Sequence, residues 1–385
     1  MSALAGSYRP TDEHDQLRDA IRQLVADKIA PYAAEVDAEA RFPQEAYDAL
    51  RAADLHAVHV PEQYGGNGGD ALAACIVIEE VARGCASSSL IPAVNKLGSL
   101  PLLLSGDEAL KERFLRPLAE GTALFCYALS EPDAGSDVAS MRTRAVRTEG
   151  GWKIDGVKRW ITNAGEGDTY VVFALTDPDA ARGKHLSAFV VQKTDPGVTF
   201  GKPEKKRGIK GSPTREIYLD GVEIGEDRLI GALGEGMSIA MRTLDHTRVT
   251  IAAQAVGIAQ GALDLALGYV KERKQFGKAL AEFQGLQFMI ADMGMQLEAA
   301  RQLTYAAAAK SERGDADLTA FSAAAKCFAS DVAMKVTVDA VQLLGGYGYT
   351  SDFPVERMMR DAKITQIYEG TNQIQRIVLA KQMLK

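Results

Sequence analysis

Alternating blocks of hydrophobic periodicity predict an α+β chain: an N-terminal helical domain, a middle β-barrel-like domain and a C-terminal four-helix bundle. Three observations carry this. Apolar residues recur at helical spacing from Thr11 to about Gly121. From about Thr122 the period changes to short runs rich in Val, Ile, Thr and aromatics. From about Glu235 to the C-terminus the helical spacing returns. The 385 residues therefore divide into 1–121, 122–234 and 235–385, in keeping with roughly 150 residues per domain.

In the first block, Thr11-Asp12-Glu13-His14 offers capping chemistry, and Leu17, Ile21, Leu24, Val25 and Ile29 follow on one helical face. Asp70 can cap a second apolar helix running through Ile76, Ile78 and Val81 to Gly84, and Asp107 opens another that ends near Gly121. The turn segment Pro61 to Gly69 separates two of these helices. The middle block carries candidate strands at Leu124–Ser130, Arg142–Thr148, Trp152–Ile154, Tyr170–Thr176, Ala188–Gln192 and Glu216–Val222. In the last block a long helix from Gly236 to about Arg273 is apolar on most faces, which predicts burial among other helices. Further helices are expected near Leu286–Arg313, Asp315–Leu344 and Asn372–Leu384.

Composition excludes several functions. A net charge of −7 and a pI near 5.5 do not suit a general nucleic-acid binder. The most apolar long stretch, Val249 to Leu267, is broken by Gln254, Gln260 and Asp264, so a buried helix is expected rather than a membrane span. Met1 to Pro10 has no apolar segment of a secretory signal, and the expected location is cytoplasmic. Cys75, Cys85, Cys126 and Cys327 form no CxxC pair and read as small apolar residues in a reducing compartment. Of five histidines only His56 and His59 are close, with no Cys or acidic cluster beside them, so no metal site is expected.

Four segments have chemistry to offer. Tyr127 to Asp137 reads as a strand entering a loop with Pro, Gly and two serines, suited either to a polar cofactor edge or to a plain turn. In Lys158 to Gly165, Trp160 and Thr162 fall on one side of a strand, which suits a flat heterocycle needing stacking and one hydrogen bond, or simply a core Trp and an edge Thr. Gly345-Gly346-Tyr347-Gly348-Tyr349 follows a helix and so fails as a dinucleotide fingerprint. Glu369, in Ile367-Tyr368-Glu369-Gly370-Thr371, sits among apolar and aromatic neighbours just before a capping Thr; burial there would raise its pKa toward that of a general base. The basic loop Lys202 to Lys210 suits either a phosphorylated ligand or solvent.

Together these segments resemble the acyl-CoA dehydrogenase family. The matching stretches are Tyr127 to Asp137, Trp160-Ile161-Thr162-Asn163, Asp245-His246-Thr247-Arg248, Arg273-Lys274-Gln275-Phe276-Gly277, Gln342 to Gly346 and Ile367 to Thr371, in the family's order along nearly the whole chain. The resemblance implies an FAD enzyme that oxidises an acyl-CoA thioester to the trans-2-enoyl-CoA. Glu369 matches the base that removes the α-proton, and the β-hydride passes to flavin N5. The thioester carbonyl is polarised by the Glu369 N–H and a flavin ribityl hydroxyl. Electrons then go to an electron-transfer flavoprotein, and the assembly implied is a homotetramer built as a dimer of dimers.

The resemblance also assigns contacts. Tyr127, Leu129 and Ser130 match positions along the isoalloxazine, Gly135 and Ser136 positions near cofactor and acyl-CoA, and Trp160, Ile161 and Thr162 the stretch flanking the ring and bonding near N5. Arg273, Gln275, Phe276, Phe283, Gln284, Gln342, Gly345 and Gly346 match the set that reaches a neighbouring subunit's FAD. Thr371 and Gln373 match further cofactor contacts; Asp245 and Arg248 match acyl-CoA contacts, with Tyr368 and Gly370 lining the reacting end. Two positions depart from medium-chain relatives, Gln275 for Thr and Lys381 for Arg. Thr247 occupies the position where other branches carry their base, which places this chain in the branch with the base at Glu369. Leu90 to Leu104 is expected to wall the acyl pocket, with a short or branched chain favoured. Two other readings stay open: an oxidase-like flavoprotein using oxygen, and a family member that binds FAD or acyl-CoA without turnover.

Overall fold

The computed structural model describes residues 10–385. Residues 1–9, most of the segment in which no secretory signal is expected, lie outside the described residues. Six helices come first: α1 (Asp12–Lys28), α2 (Ala33–Glu39), α3 (Gln44–Ala52), α4 (Ala71–Gly84), α5 (Ala86–Ser105) and α6 (Glu108–Ala119). The capping residues act as the sequence predicts. Thr11 and His14 form a capping box on α1, and Asp70 and Asp107 accept backbone N–H groups at the starts of α4 and α6. The sequence reading missed α5. Its Pro92 and Pro101 break the helical pattern, yet the helix forms because it is buried along most of its length.

Eight strands follow: β1 (Phe125–Ala128), β2 (Arg144–Thr148), β3 (Gly151–Thr162), β4 (Thr169–Leu175), β5 (Leu186–Gln192), β6 (Val198–Phe200), β7 (Thr214–Gly225) and β8 (Leu229–Ile230). They form one sheet in the order β6-β7-β3-β2-β4-β5-β8, with β1 added parallel to β4. β3 is far longer than the Trp152–Ile154 run that was legible, because two register shifts interrupt its alternation. The second shift, between Lys158 and Ile161, leaves Trp160 at φ 63°. Strand alternation alone therefore does not set the faces there; Ile161 is buried while Trp160 and Thr162 keep solvent exposure.

The chain then forms α7 (Gly236–Glu272), a two-strand hairpin β9 (Lys274–Gln275) and β10 (Lys278–Ala279), α8 (Gln284–Arg313), α9 (Leu318–Leu344), α10 (Val355–Thr365) and α11 (Asn372–Met383). The sequence reading lacked α10, a short amphipathic helix on the bundle's flank. α7 is the one helix among the described residues long and apolar enough to span a membrane, and 83% of that window is buried inside the fold. Its polar interruptions are used internally. Gln254 donates to Ser89 on α5, and Asp264 pairs with Arg83 on α4. Gly257 and Gly261 let α4 cross α7 closely: a Cβ at either would lie 2.1 or 2.3 Å from the Glu79 or Arg83 carbonyl oxygen. The crossing buries a further polar knot, in which Glu79 and Glu80 of α4 take Arg18 and Arg22 of α1, and Glu79 also takes Arg301 of α8.

The free cysteines fit the apolar reading. Cys75, Cys85 and Cys126 are buried, and burial pushes the Cys75 thiol up to about 12. No group of His, Cys, Asp and Glu among the described residues could hold a metal. His56 bonds the Leu118 carbonyl and His59 bonds Ser99, each serving the packing of its own neighbourhood.

Candidate active site around Glu369

Between α10 and α11 the backbone turns sharply, and two residues there are left-handed: Glu369 at φ 51° and Gly370 at φ 91°. A non-glycine residue in this region stores strain of order 1 kcal/mol or more, held only where neighbours over-determine it. Several groups do so. Thr371 caps α11 through its hydroxyl, and Gln375 Nε2 donates to the Glu369 and Gly370 carbonyls at 3.0 and 2.9 Å. From α9, Lys326 Nζ donates to the Gly370 carbonyl at 2.7 Å. Glycine is needed at position 370 for its φ, and a Cβ there would also lie 2.6 Å from Gln375 Nε2 and push that amide off the two carbonyls it holds.

The turn presents the Glu369 carboxyl to α7. Thr247 Oγ1 donates to Glu369 Oε2 at 2.7 Å, and Thr247 is fully buried. Burial pushes the Glu369 pKa up to about 7, against the opposing pull of the Thr247 hydrogen bond and the charges of Arg248 and Lys326. The residue as a whole keeps some surface, the opening a reacting partner must use. Among the described residues the Glu369 backbone N–H donates to no group of the chain. Arg248 sits one residue along α7 and is clamped to Asp245 at 2.5 Å, while Asp245 also accepts the Thr319 hydroxyl of α9 at 2.6 Å. Tyr368 donates to Gln254 of α7.

Three buried polar atoms here lack partners: the Tyr127 hydroxyl, Arg248 Nε and Gln375 Oε1. Tyr127 stands at the end of β1, its ring edge-on to Phe173 at 5.1 Å, and its hydroxyl is held protonated by burial and by the nearby Glu369. An unsatisfied buried polar atom costs roughly 1–3 kcal/mol, and a ligand atom bonded to it would remove that cost.

The end of β1 is itself fastened. Lys158 of β3 is completely buried, and its Nζ donates to Glu131 at 2.8 Å and to the Leu129 carbonyl at 3.2 Å. Glu131 in turn accepts the N–H groups of Arg142 and Thr143. Lys158 and Glu131 lie inside segments singled out by sequence, but neither was assigned a task. Ser130, Gly135 and Ser136 follow on the exposed rim, where a Cβ on Gly135 would meet nothing. We expect Lys158→Ala to strand the Glu131 carboxylate and cost about 3–5 kcal/mol. The thermal midpoint checks this, and no change in it would mean that the pair does not hold the β1 end.

Two groups stand out among the predicted site residues. Tyr127, Asp245, Arg248, Tyr368, Glu369, Gly370 and Thr371 converge on one buried neighbourhood. Arg273, Gln275, Phe276, Phe283, Gln284, Gln342, Gly345 and Gly346 gather elsewhere. Arg273 lies over the Tyr347 ring beside the Gly345-Gly346 turn, and Phe276 packs edge-on to Phe283. This second group is largely solvent-exposed, Phe276 by 93%. Gln373 is exposed on the first turn of α11, and Lys381 on its last. The basic loop is mostly structural: Lys206 donates to the Ser212 carbonyl at 2.6 Å, and Ile209 N–H to Asp361 of α10 at 2.5 Å. Burial pushes the Lys206 ammonium down to about 8.

Three family models match the chain end to end: acyl-CoA dehydrogenase N-terminal domain over residues 11–122, middle domain over 126–222 and C-terminal domain over 234–384. The chain belongs to the acyl-CoA dehydrogenase family. A probable acyl-CoA dehydrogenase of Mycobacterium leprae is 60% identical over 98% of this chain and 97% of that protein. Butyryl-CoA dehydrogenase of Megasphaera elsdenii superposes with a TM-score of 0.95 at 41% identity, over 98% of this chain and all of that one. A chain in the solved structure of the electron transferring flavoprotein of Acidaminococcus fermentans matches with a TM-score of 0.96 at 43% identity, over 98% and 100%. As a family member the chain is an oxidoreductase and a flavoprotein with FAD as its cofactor. The unpartnered Tyr127 hydroxyl and the exposed Trp160 and Thr162 are of the kind such a group requires: a free donor and an aromatic plane beside a hydroxyl.

Proposed function

We propose that the enzyme dehydrogenates a short or branched acyl-CoA at its α,β-bond, giving the trans-2-enoyl-CoA, with Glu369 as the base. The observation that carries this is the Glu369 carboxyl: enclosed, hydrogen-bonded by Thr247 at 2.7 Å and raised to about 7, where a base can both exist as carboxylate and take a proton near neutrality. FAD, when bound, supplies the acceptor for the β-hydride. The free N–H of Glu369 is available to donate to the thioester carbonyl, which makes the α-proton acidic enough to remove. Arg248 and Asp245 border this site and are assigned to the acyl-CoA.

Residues Tyr127, Leu129, Ser130, Gly135, Ser136, Trp160, Ile161, Thr162, Thr371 and Gln373 are assigned to the FAD of their own subunit. The exposed group from Arg273 to Gly346 is assigned to the FAD of a neighbouring copy in a homotetramer. Support for the second assignment is physical: Phe276 at 93% exposure is costly to leave in water, and Arg273 over Tyr347 offers a cation beside it for an anionic group of another chain's cofactor. Arg273→Ala should therefore lower FAD occupancy and weaken the dimer together. Light scattering and flavin absorbance check it; a monomer fully loaded with FAD would contradict the shared site.

The short or branched preference and the electron-transfer flavoprotein as acceptor draw support from the butyryl-CoA dehydrogenase and electron transferring flavoprotein relatives. A dye-coupled rate across straight and branched acyl-CoAs tests the substrate. Peak kcat/KM beyond eight carbons would remove the preference, and oxygen uptake without a dye would favour an oxidase.

A further inference from the structure

Lys326 lies at the centre of α9 among Ala323, Ala325 and Ala329, all buried, and is itself completely buried. Its ammonium donates to the Gly370 carbonyl at 2.7 Å and to Asn372 Oδ1 at 3.0 Å. Both acceptors are neutral, and among the described residues Lys326 makes no salt bridge. A buried cation without an ion-pair partner is expensive, and an apolar residue of similar length would serve packing better. Burial accordingly pushes Lys326 down to about 8, with Glu369 the foremost group acting to hold its proton on. A charge kept at such cost has work to do on something nearby.

The charged and titratable groups facing Glu369 are few. Thr247 and Arg248 come from α7, Lys326 from α9 and Tyr127 from β1, with Tyr368 beside it in the chain. The Arg248 charge is already answered by Asp245 at 2.5 Å. Lys326 has Asp331 five residues along α9, but Asp331 is occupied by Arg376 at 2.6 Å and by the Asn372 amide. Lys326 therefore acts on Glu369 beside Arg248, and unlike Arg248 it does so while gripping the carbonyl of the next residue.

We propose that Lys326 is a positioning residue for the base: its ammonium clamps the Gly370 carbonyl, fixes the left-handed turn that aims the Glu369 carboxylate, and favours the carboxylate form by its charge. This rests on Glu369 being the base. Two substitutions separate the two actions. Lys326→Met removes donor and charge, whereas Lys326→Gln keeps an N–H donor and removes the charge. Both are compared with Glu369→Gln and wild type as FAD-loaded enzymes, after flavin content and melting midpoint are measured. The first readout is the pH profile of kcat/KM. The second is exchange of the α-hydrogens of a 3-thiaacyl-CoA with deuterated water, which reads the base alone because a sulfur at the β-position leaves no hydride to transfer.

Removing a nearby positive charge raises the pKa of a carboxyl, so the rising limb should move up by about one pH unit in both Lys326 variants. Near pH 6.5 α-exchange should fall by roughly tenfold. At high pH, Lys326→Gln should return to within roughly threefold of wild type, while Lys326→Met stays lower because the turn has lost its clamp. A wild-type limb in both variants, or lower rates with an unmoved limb, overturns the proposal. If Lys326→Met does not hold FAD, Lys326→Gln decides alone by the same criterion. Glu369→Gln separates the premises: if it still exchanges the α-hydrogens the base reading falls, and if it is silent while the Lys326 variants behave as wild type, only this proposal falls.

Discussion

Glu369→Gln should keep FAD and acyl-CoA binding and lose at least roughly a thousandfold in kcat. The substitution preserves size, and the Thr247 hydroxyl at 2.7 Å can still bond the amide. What disappears is the one carboxylate enclosed at this spot; the next acidic side chain in the site, Asp245, is tied to Arg248 and Thr319. The same geometry sets the pH dependence of the wild type. A carboxyl raised to about 7 is protonated below that pH and cannot take a proton, so kcat/KM should climb with pH through about 7. Stopped-flow reduction and dye-coupled turnover measure both. Activity of Glu369→Gln within tenfold of wild type would mean that another group is the base.

The second large effect is a transplant of the base. Glu369→Gly should be nearly inactive, yet well folded, because glycine suits the φ of 51° at this position without strain. Adding Thr247→Glu should restore measurable turnover, below wild type. The reason is the contact itself: Thr247 Oγ1 touches Glu369 Oε2, so a carboxylate grown from α7 arrives where the lost one stood. Thr247 is fully buried, and the longer side chain must occupy the space that position 369 vacates. A carboxylate approaching from α7 enters at another angle, and small misplacements are costly, so the rate stays low and the chain-length preference shifts. Dye-coupled rates across acyl lengths, with flavin absorbance, decide it. A double variant that holds FAD and acyl-CoA but gains nothing over Glu369→Gly would place the α-carbon away from α7.

Much of this site was legible because its chemistry is local in the chain. Glu369 could be singled out from its aromatic neighbours and the capping Thr371, and the cap forms as read. Tyr127 and Trp160 were found because strand-loop junctions with aromatics and hydroxyls are short patterns. Lys326, Gln375 and Lys158 were missed for the opposite reason. Each acts on a carbonyl 44, 5 or 29 residues away, and a carbonyl carries no signal in sequence. The one available hint for Lys326 was a lone cation inside an apolar helix. Helix α5 was missed because its two prolines violate local propensity, and burial between α4, α7 and β1 outweighs them.

The sequence by itself determined the helix, sheet and helix order and the caps at Thr11, Asp70, Asp107 and Thr371, and it pointed to Glu369 as the candidate base. These follow from periodicity and from side chains bonding their own neighbours, interactions of short range along the chain. Only the tertiary structure decided what surrounds that base. Thr247 lies 122 residues from Glu369 and Lys326 lies 44 from Gly370, yet the packing of α9 against both α7 and α11 brings all of them to hydrogen-bond distance. Acidity depends on what encloses a carboxyl, and enclosure is a property of packed surfaces, so Glu369 acquires its pKa of about 7 only when the bundle closes around it.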